Sequence, residues 1–293
     1  LAVIAFVVYL RSSAMSFATL LVHVESEPTP DPRLALAIDL ANQFDAKLIG
    51  VGAEFYRTVY YGGEGFDYSI VYLIAAEMDS VEADLKRAGE KFRSAAAAVR
   101  QGWDWRAAVK FPLAEIAAEA RATDLVVTSR SGRRGASDYD VALPGALILQ
   151  TGRPILVAPP DAVQLKVASV VVAWKDTREA RRAVSDALPF LKRAQKVHLL
   201  EICDSKDASP AATTRLADVA DHLLRHGVNA TVSVDVHEKD ATAAHHLLDV
   251  AERHNADLIV AGAYGHSRFQ EWVFGGFTRA LLAQTARAVL FSH

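Results

Sequence analysis

The chain has 293 residues, 51% of them apolar and 23% charged, the profile of a folded protein with room for two ordinary domains. Its formal charge of -3 excludes a broad basic surface for nucleic acid or acidic lipid. Cys203, the one cysteine, cannot close an intrachain disulfide, which fits a reducing, cytoplasmic compartment. Leu1 to Leu10 is an apolar run closed by Arg11, too short for a bilayer span of about 20 residues. Residues 1–14 read as an extension outside the fold, because a strand pattern starts directly after Met15.

Residues 15–160 form the first unit. Phe17 to Val24 predicts a strand, and Leu34, Ala37, Ile38 and Ala41 mark one face of a helix. Lys47 to Val51 is a short strand. A Tyr- and Gly-rich loop at 60–68 follows, absent from the second half and a candidate private surface for a ligand or partner. A long helix carries Val81, Leu85, Ala88, Phe92, Ala95 and Val99. Trp105 to Val109 is a strand, Leu113 to Ala122 a helix, Leu125 to Ser129 a buried strand. A short helix near Ala142 to Leu149 and a strand at Ile155 to Ala158 end the unit at Pro159 and Pro160.

The same order returns over 166–293. Val170 to Ala173 predicts a strand, and Ala180, Ala183, Val184, Ala187, Leu188 and Leu191 a helical stripe, with Asp176 and Glu179 spaced as a capping box. Val197 to Ile202 is a strand. A helix through Leu216 and Leu223 is closed by Gly227, and Val232, Val234 and Val236 alternate as a half-buried strand. Leu247, Leu248 and Ala251 lead into Leu258 to Val260, and the chain ends on a helix and Val289 to Phe291. The repeat is visible in letters: Ala122-Thr-Asp124-Leu-Val-Val against Asn255-Ala-Asp257-Leu-Ile-Val, and Gln150-Thr-Gly-Arg153 against Gln284-Thr-Ala-Arg287. Alternating strands and helices predict α/β architecture: two tandem Rossmann-like domains, each a five-stranded parallel sheet with helices on both faces. The end strands at 155–158 and 289–291 then stand as exposed edges on which another chain could dock.

Chemistry concentrates in Gly262-Ala-Tyr-Gly265-His266, which runs on to Gly275-Gly276-Phe277-Thr278. Such a segment leaves a buried strand and enters a helix through glycines. Backbone N–H groups can then approach an anion closely, and the helix N-terminus supplies free donors. The spacing Gly-x2-Gly-x9-Gly resembles the nucleotide-binding signature of the universal stress protein family, and the strand and helix order resembles that family from Met15 onward. The resemblance implies an adenine nucleotide alpha hydrolase-like fold, a stress-response role and, in a subset of members, ATP with its Mg. It also implies dimerisation, either between the halves of this chain as an intrachain pseudo-dimer or between two chains.

On that likeness Gly262, Gly265, Gly275, Gly276 and Thr278 would line the triphosphate. Ala173, Lys175 and Asp176 after the first strand, with His266 and Phe277 in the loop, complete the candidate set. The chain departs from the family pattern in having Gly276 where a Ser or Thr follows the last Gly, and Lys175 where ATP-binding members carry an Asp. In the first half Ser129-Arg130-Ser-Gly132-Arg133-Arg134-Gly135 replaces the motif and Pro144 removes a donor, so no ATP site is expected there. Glu25 stands near the Asp position.

Other candidates read as structural. His245 and His246 are helical neighbours that cannot share a face, and no HExxH or CxxC spacing supports zinc. His266 reads as a loop-stabilising side chain, Cys203 as a small buried one, Trp174 and Trp272 as packing residues near the pocket. No Walker motif and no G-x-S-x-G elbow is present, so the expectation is a nucleotide-binding protein without rapid turnover, not an enzyme. The alternative is an interaction or chaperone-like module whose site has decayed, acting on unknown protein partners.

Overall fold

The computed structural model describes residues 16–27, 29–56, 68–129, 144–203, 205–236, 242–264, 276–284 and 286–293. The first half comprises β1 (Thr19–His23), α1 (Pro32–Phe44), β2 (Lys47–Glu54), α2 (Tyr68–Ala96), β3 (Trp103–Val109), α3 (Pro112–Glu119), β4 (Leu125–Ser129), α4 (Pro144–Gln150) and β5 (Ile155–Ala158). The second comprises β6 (Ser169–Trp174), α5 (Arg178–Leu191), β7 (Lys196–Cys203), α6 (Ser209–Arg225), β8 (Ala230–Val236), α7 (Ala243–Arg253), β9 (Leu258–Gly262), α8 (Gly276–Gln284) and β10 (Ala288–Ser292). Two repeats of β-α-β-α-β-α-β-α-β result, as the periodicity predicts.

The strands form one sheet in the order β3-β2-β1-β4-β5-β10-β9-β6-β7-β8. Each half is parallel throughout and follows the doubly wound pattern, its first strand lying beside its fourth. Helices α1, α2, α5 and α6 cover one face, where Leu36, Phe92, Ala187 and Leu216 are buried. Helices α3, α4, α7 and α8 cover the other, with Ile116, Leu147, Leu247 and Leu281.

The end strands are not free docking edges. β5 and β10 pair with each other antiparallel, Val157 opposite Val289 and Ile155 opposite Phe291. Each satisfies the other's backbone groups, and the edges left open are β3 and β8. Phe17 and Phe44 of the first half meet Phe190 of the second in a triangle with centroids 5.0–5.3 Å apart, and Arg193 caps Phe44 at 4.1 Å. The connecting segment is pinned as well: Asp39 accepts from the Leu165 N–H, and the Gln43 amide donates to the Leu165 carbonyl.

The letters repeated between halves have a mechanical meaning. The Asp124 carboxylate accepts the N–H groups of Ala18 and Thr19, and Asp257 does the same for Ala168 and Ser169. Each aspartate fastens the start of its half's first strand to the turn before the fourth. Arg153 and Arg287 repeat a second device, each donating through Nε to a carbonyl of that turn, Ala120 and Ala256 respectively.

Two local expectations need correction. The N-cap of α5 is Thr177, whose hydroxyl accepts from the Ala180 N–H, so Asp176 lies one residue too early for a capping box. Helix α2 starts at Tyr68 and stops at Ala96, leaving Val99 beyond its end. Gly227 closes α6 as read, at φ +81 with the Val228 N–H returning to Leu223.

Candidate functional site

In the second half β6 and β9 run side by side, Ala173 opposite Ala261. The chain leaves β6 into α5 on one face of the sheet and enters α8 on the other. The crevice beyond the carboxyl ends of these two strands is therefore the topological switch point, where open α/β sheets bind ligands. Ala173, Lys175, Asp176 and Gly262 all stand at this end, and α8 opens on Gly276, Phe277 and Thr278. Gly265, His266, Gly275 and Trp272 lie outside the described residues, as do Arg130, Arg133 and Arg134 of the first half.

The glycines differ in why they are glycine. A Cβ on Gly262 would stand 2.6 Å from the Ala180 nitrogen and 2.7 Å from the Glu179 carbonyl carbon. The first turn of α5 occupies that space, so this glycine serves close helix–strand packing. A Cβ on Gly276 would meet nothing within 4 Å. Gly276 is exposed at the N-terminus of α8, Phe277 packs on the core, and Thr278 is buried at 2% exposure. Between these segments Tyr264 turns the chain out of β9 at φ +60, and burial pushes its phenol up to about 12.

The two helix N-termini at the crevice are not equivalent. Glu179, 2% exposed, sits in the first turn of α5. Burial would raise its carboxyl, but hydrogen bonds from Arg178 and Thr177 bring it below the ordinary range. The positive end of α5 already carries an anion of its own. The first turn of α8 carries no acidic residue.

Lys175 and Asp176 are exposed, and Asp176 is held by Arg181 at 2.5 Å. Beside them a cavity of about 460 Å³ opens between α5 and α6, lined by Trp174, Asp176, Arg181, Arg215, Asp218 and His222 among others. Among the described residues of the predicted set, Asp176 lines it. Arg215 pairs with the buried Glu201 of β7, a contact the sequence does not announce because the partners lie on different elements.

The corresponding crevice of the first half is built otherwise. Since Asp124 fastens Thr19 as Asp257 fastens Ser169, His23 corresponds to Ala173 and Glu25 to Lys175. Glu25 pairs with Arg33 at 3.0 Å, and Asp31 lies 3.6 Å from Arg33 and 3.4 Å from Lys91, all four largely buried. Burial holds His23 down at about 4. Pro144 is the first residue of α4, where no backbone donor is available.

Two further histidines are tied to neighbouring side chains. His198 bridges Thr231 and Ser233 at 2.9 Å each and stacks on His254, and His246 meets Asp235 at 2.7 Å. Among the described residues no His, Cys, Asp and Glu cluster suits a metal, and no helix is long and apolar enough to cross a membrane. Cys203 is buried and forms no disulfide.

Residues 167–293 match the model of the Universal stress protein family. Over nearly the whole chain the fold is similar to a universal stress protein from Archaeoglobus fulgidus, at 15% identity and TM-score 0.65, with 94% of this chain and 95% of that one covered. A similar likeness holds for a putative universal stress protein from Pseudomonas aeruginosa, at 13% identity and TM-score 0.58, covering 95% and 94%. No curated protein has a sequence that matches this one. Residues 167–293 therefore belong to the universal stress protein family, and the first half repeats the fold.

Proposed function

We propose that the protein is a stress-response nucleotide-binding protein that holds ATP or a related nucleotide in its second half, with Mg carried by the phosphates and without rapid turnover. The observation that carries this reading is the acid-free N-terminus of α8, opened by an exposed glycine at the switch point of a universal stress protein domain. Backbone donors of α8 meet the phosphates, Lys175 adds a positive charge, and Asp176 stands beside it as an acceptor for the sugar. Binding alters a surface at this end of the second half that other proteins read.

Mass spectrometry of the purified, denatured protein, followed by ATP titration calorimetry with and without magnesium, tests the reading. One nucleotide per chain is expected, rather than two. Because a side chain at Gly276 meets open space, Gly276→Glu should leave the melting temperature unchanged and abolish ATP binding by placing a carboxylate at the helix N-terminus. An ATP heat unchanged in this variant refutes the assigned phosphate position, and hydrolysis at many turnovers per second refutes the non-enzymatic part.

A second reading has its own support: with Lys175 in place of a carboxylate and Asp176 engaged by Arg181, the site has decayed and the protein is an interaction or chaperone-like module. An empty protein with no ATP heat, whose partner binding survives Gly276→Glu, selects it.

A further inference from the structure

Helix α2 is built for more than covering its own sheet. It has 29 residues against 17 in α6, its counterpart in the second half. At 1.5 Å per residue it runs about 43 Å, whereas β2 beneath it, at about 3.3 Å per residue, spans about 26 Å. Its register is fixed where Leu85 comes within 3.4 Å of a Cβ on Gly52 and where Gly89 meets Trp105. From Gly52 the strand reaches Phe55 in about 10 Å, a distance the helix covers in about seven residues. Met78 therefore stands level with Phe55, and Tyr72 to Ile74 project past the sheet.

The projecting part carries no charge from Tyr68 to Ala76. Tyr72, Leu73 and Ile74 are 77%, 47% and 55% exposed and Met78 40%, while Phe55 and Phe111, stacked at 4.0 Å beyond the ends of β2 and β3, are also exposed. Three consecutive helical residues spread over about 200° of the circumference, so this is not one stripe turned toward the protein's own core. Helices apolar over so much of their girth are buried. Taking roughly 200 Å² for each large side chain, these six leave on the order of 600 Å² of apolar surface, the upper end of what a folded monomer's largest patch reaches.

We propose that the N-terminal overhang of α2, with Phe55 and Phe111, is the interface for a second copy of this chain. Two such surfaces bury on the order of 1,200 Å², the lower bound of a stable interface, and the charge-free composition is that of homodimer contacts. A twofold arrangement lays one overhang antiparallel along the other, Leu73 and Ile74 near the axis, and needs only this self-complementary patch. The edges that would otherwise pair two chains, β5 and β10, are already spent on each other.

Sedimentation of the full chain over a range of concentrations tests this. The native protein should be a dimer, the Leu73→Glu/Ile74→Glu variant a monomer with the native circular dichroism and melting temperature, and Leu224→Glu, at an exposed leucine of α6, still a dimer. Cys203 is buried, so Tyr72→Cys supplies the one accessible thiol and should yield a covalent dimer under mild oxidation even if the charged double variant misfolds. A native protein that is monomeric at every concentration, a dimer that persists in a folded double variant, or no cross-link at Tyr72→Cys overturns the proposal. A native monomer that floats with phosphatidylcholine vesicles also overturns it and makes a membrane surface the occupant. None of these readouts involves nucleotide.

Discussion

The two switch points share a backbone plan and differ in what fills them. In the first half His23, Glu25, Asp31, Arg33 and Lys91 place a buried network of opposite charges at this end. In the second, Ala173 replaces the histidine, Lys175 the glutamate, and a glycine at the end of β9 lets α5 approach. A buried ion cluster broken by removing one partner leaves an uncompensated charge, so these side chains hold one another in place. The second switch point leaves Lys175 and Asp176 at the surface. One fold thus carries two switch points of different charge and burial, and a handful of side chains sets the difference.

The comparison can be broken at several points. The largest effect is expected where the halves join: Phe190→Ala should cost about 3–5 kcal/mol and split one denaturation transition into two, because Phe190 fills the aromatic triangle against Phe17 and Phe44. A single unshifted transition would mean that the triangle does not couple the halves. Next comes pH. Burial lowers His23 in the first half and His198 in the second to about 4. The unfolded chain therefore binds protons below about pH 6.5 that the native state refuses. Stability should be full above that pH and fall as it drops toward 4, by up to about 3 kcal/mol for His23. His23→Gln should flatten that slope in urea titrations. A slope left unchanged would show that His23 is not buried neutral.

Smaller still, Gly262→Ala should cost about 1–3 kcal/mol by pushing α5 from β9, whereas Ser129→Ala, the same position in the first half, should cost much less. Equal costs would erase the distinction between the two packings. At the small end for stability, Gly276→Glu separates function from fold by acting only on ligand.

Much of the fold was legible because each half obeys one period at a time. Leu125 to Ser129 and Ile155 to Ala158 are read to the residue, since short apolar runs between polar turns leave few alternatives. The start of α2 was not legible: nine uncharged residues before Glu77 give no polar face against which a helical period could be read. The pairing of β5 with β10 was also hidden, as an apolar strand reads the same whether its neighbour is its own chain or another. At the site, Gly262 and Gly276 of the glycine pattern both stand at the switch-point end of the second half. The pattern could not separate Gly262, excluded from bearing a side chain by the α5 backbone, from Gly276, which faces open space.

The antiparallel seam between β5 and β10 has a directional consequence. Each half is parallel within itself, so reversing direction at the seam points the carboxyl ends of the two half-sheets to opposite rims of the molecule. The crevice of the second half and the apolar overhang of α2 thus face away from each other across the full length of the strands. Two chains joined through their overhangs would turn both second-half crevices outward, like the terminals of a bar, free to engage two partners at once.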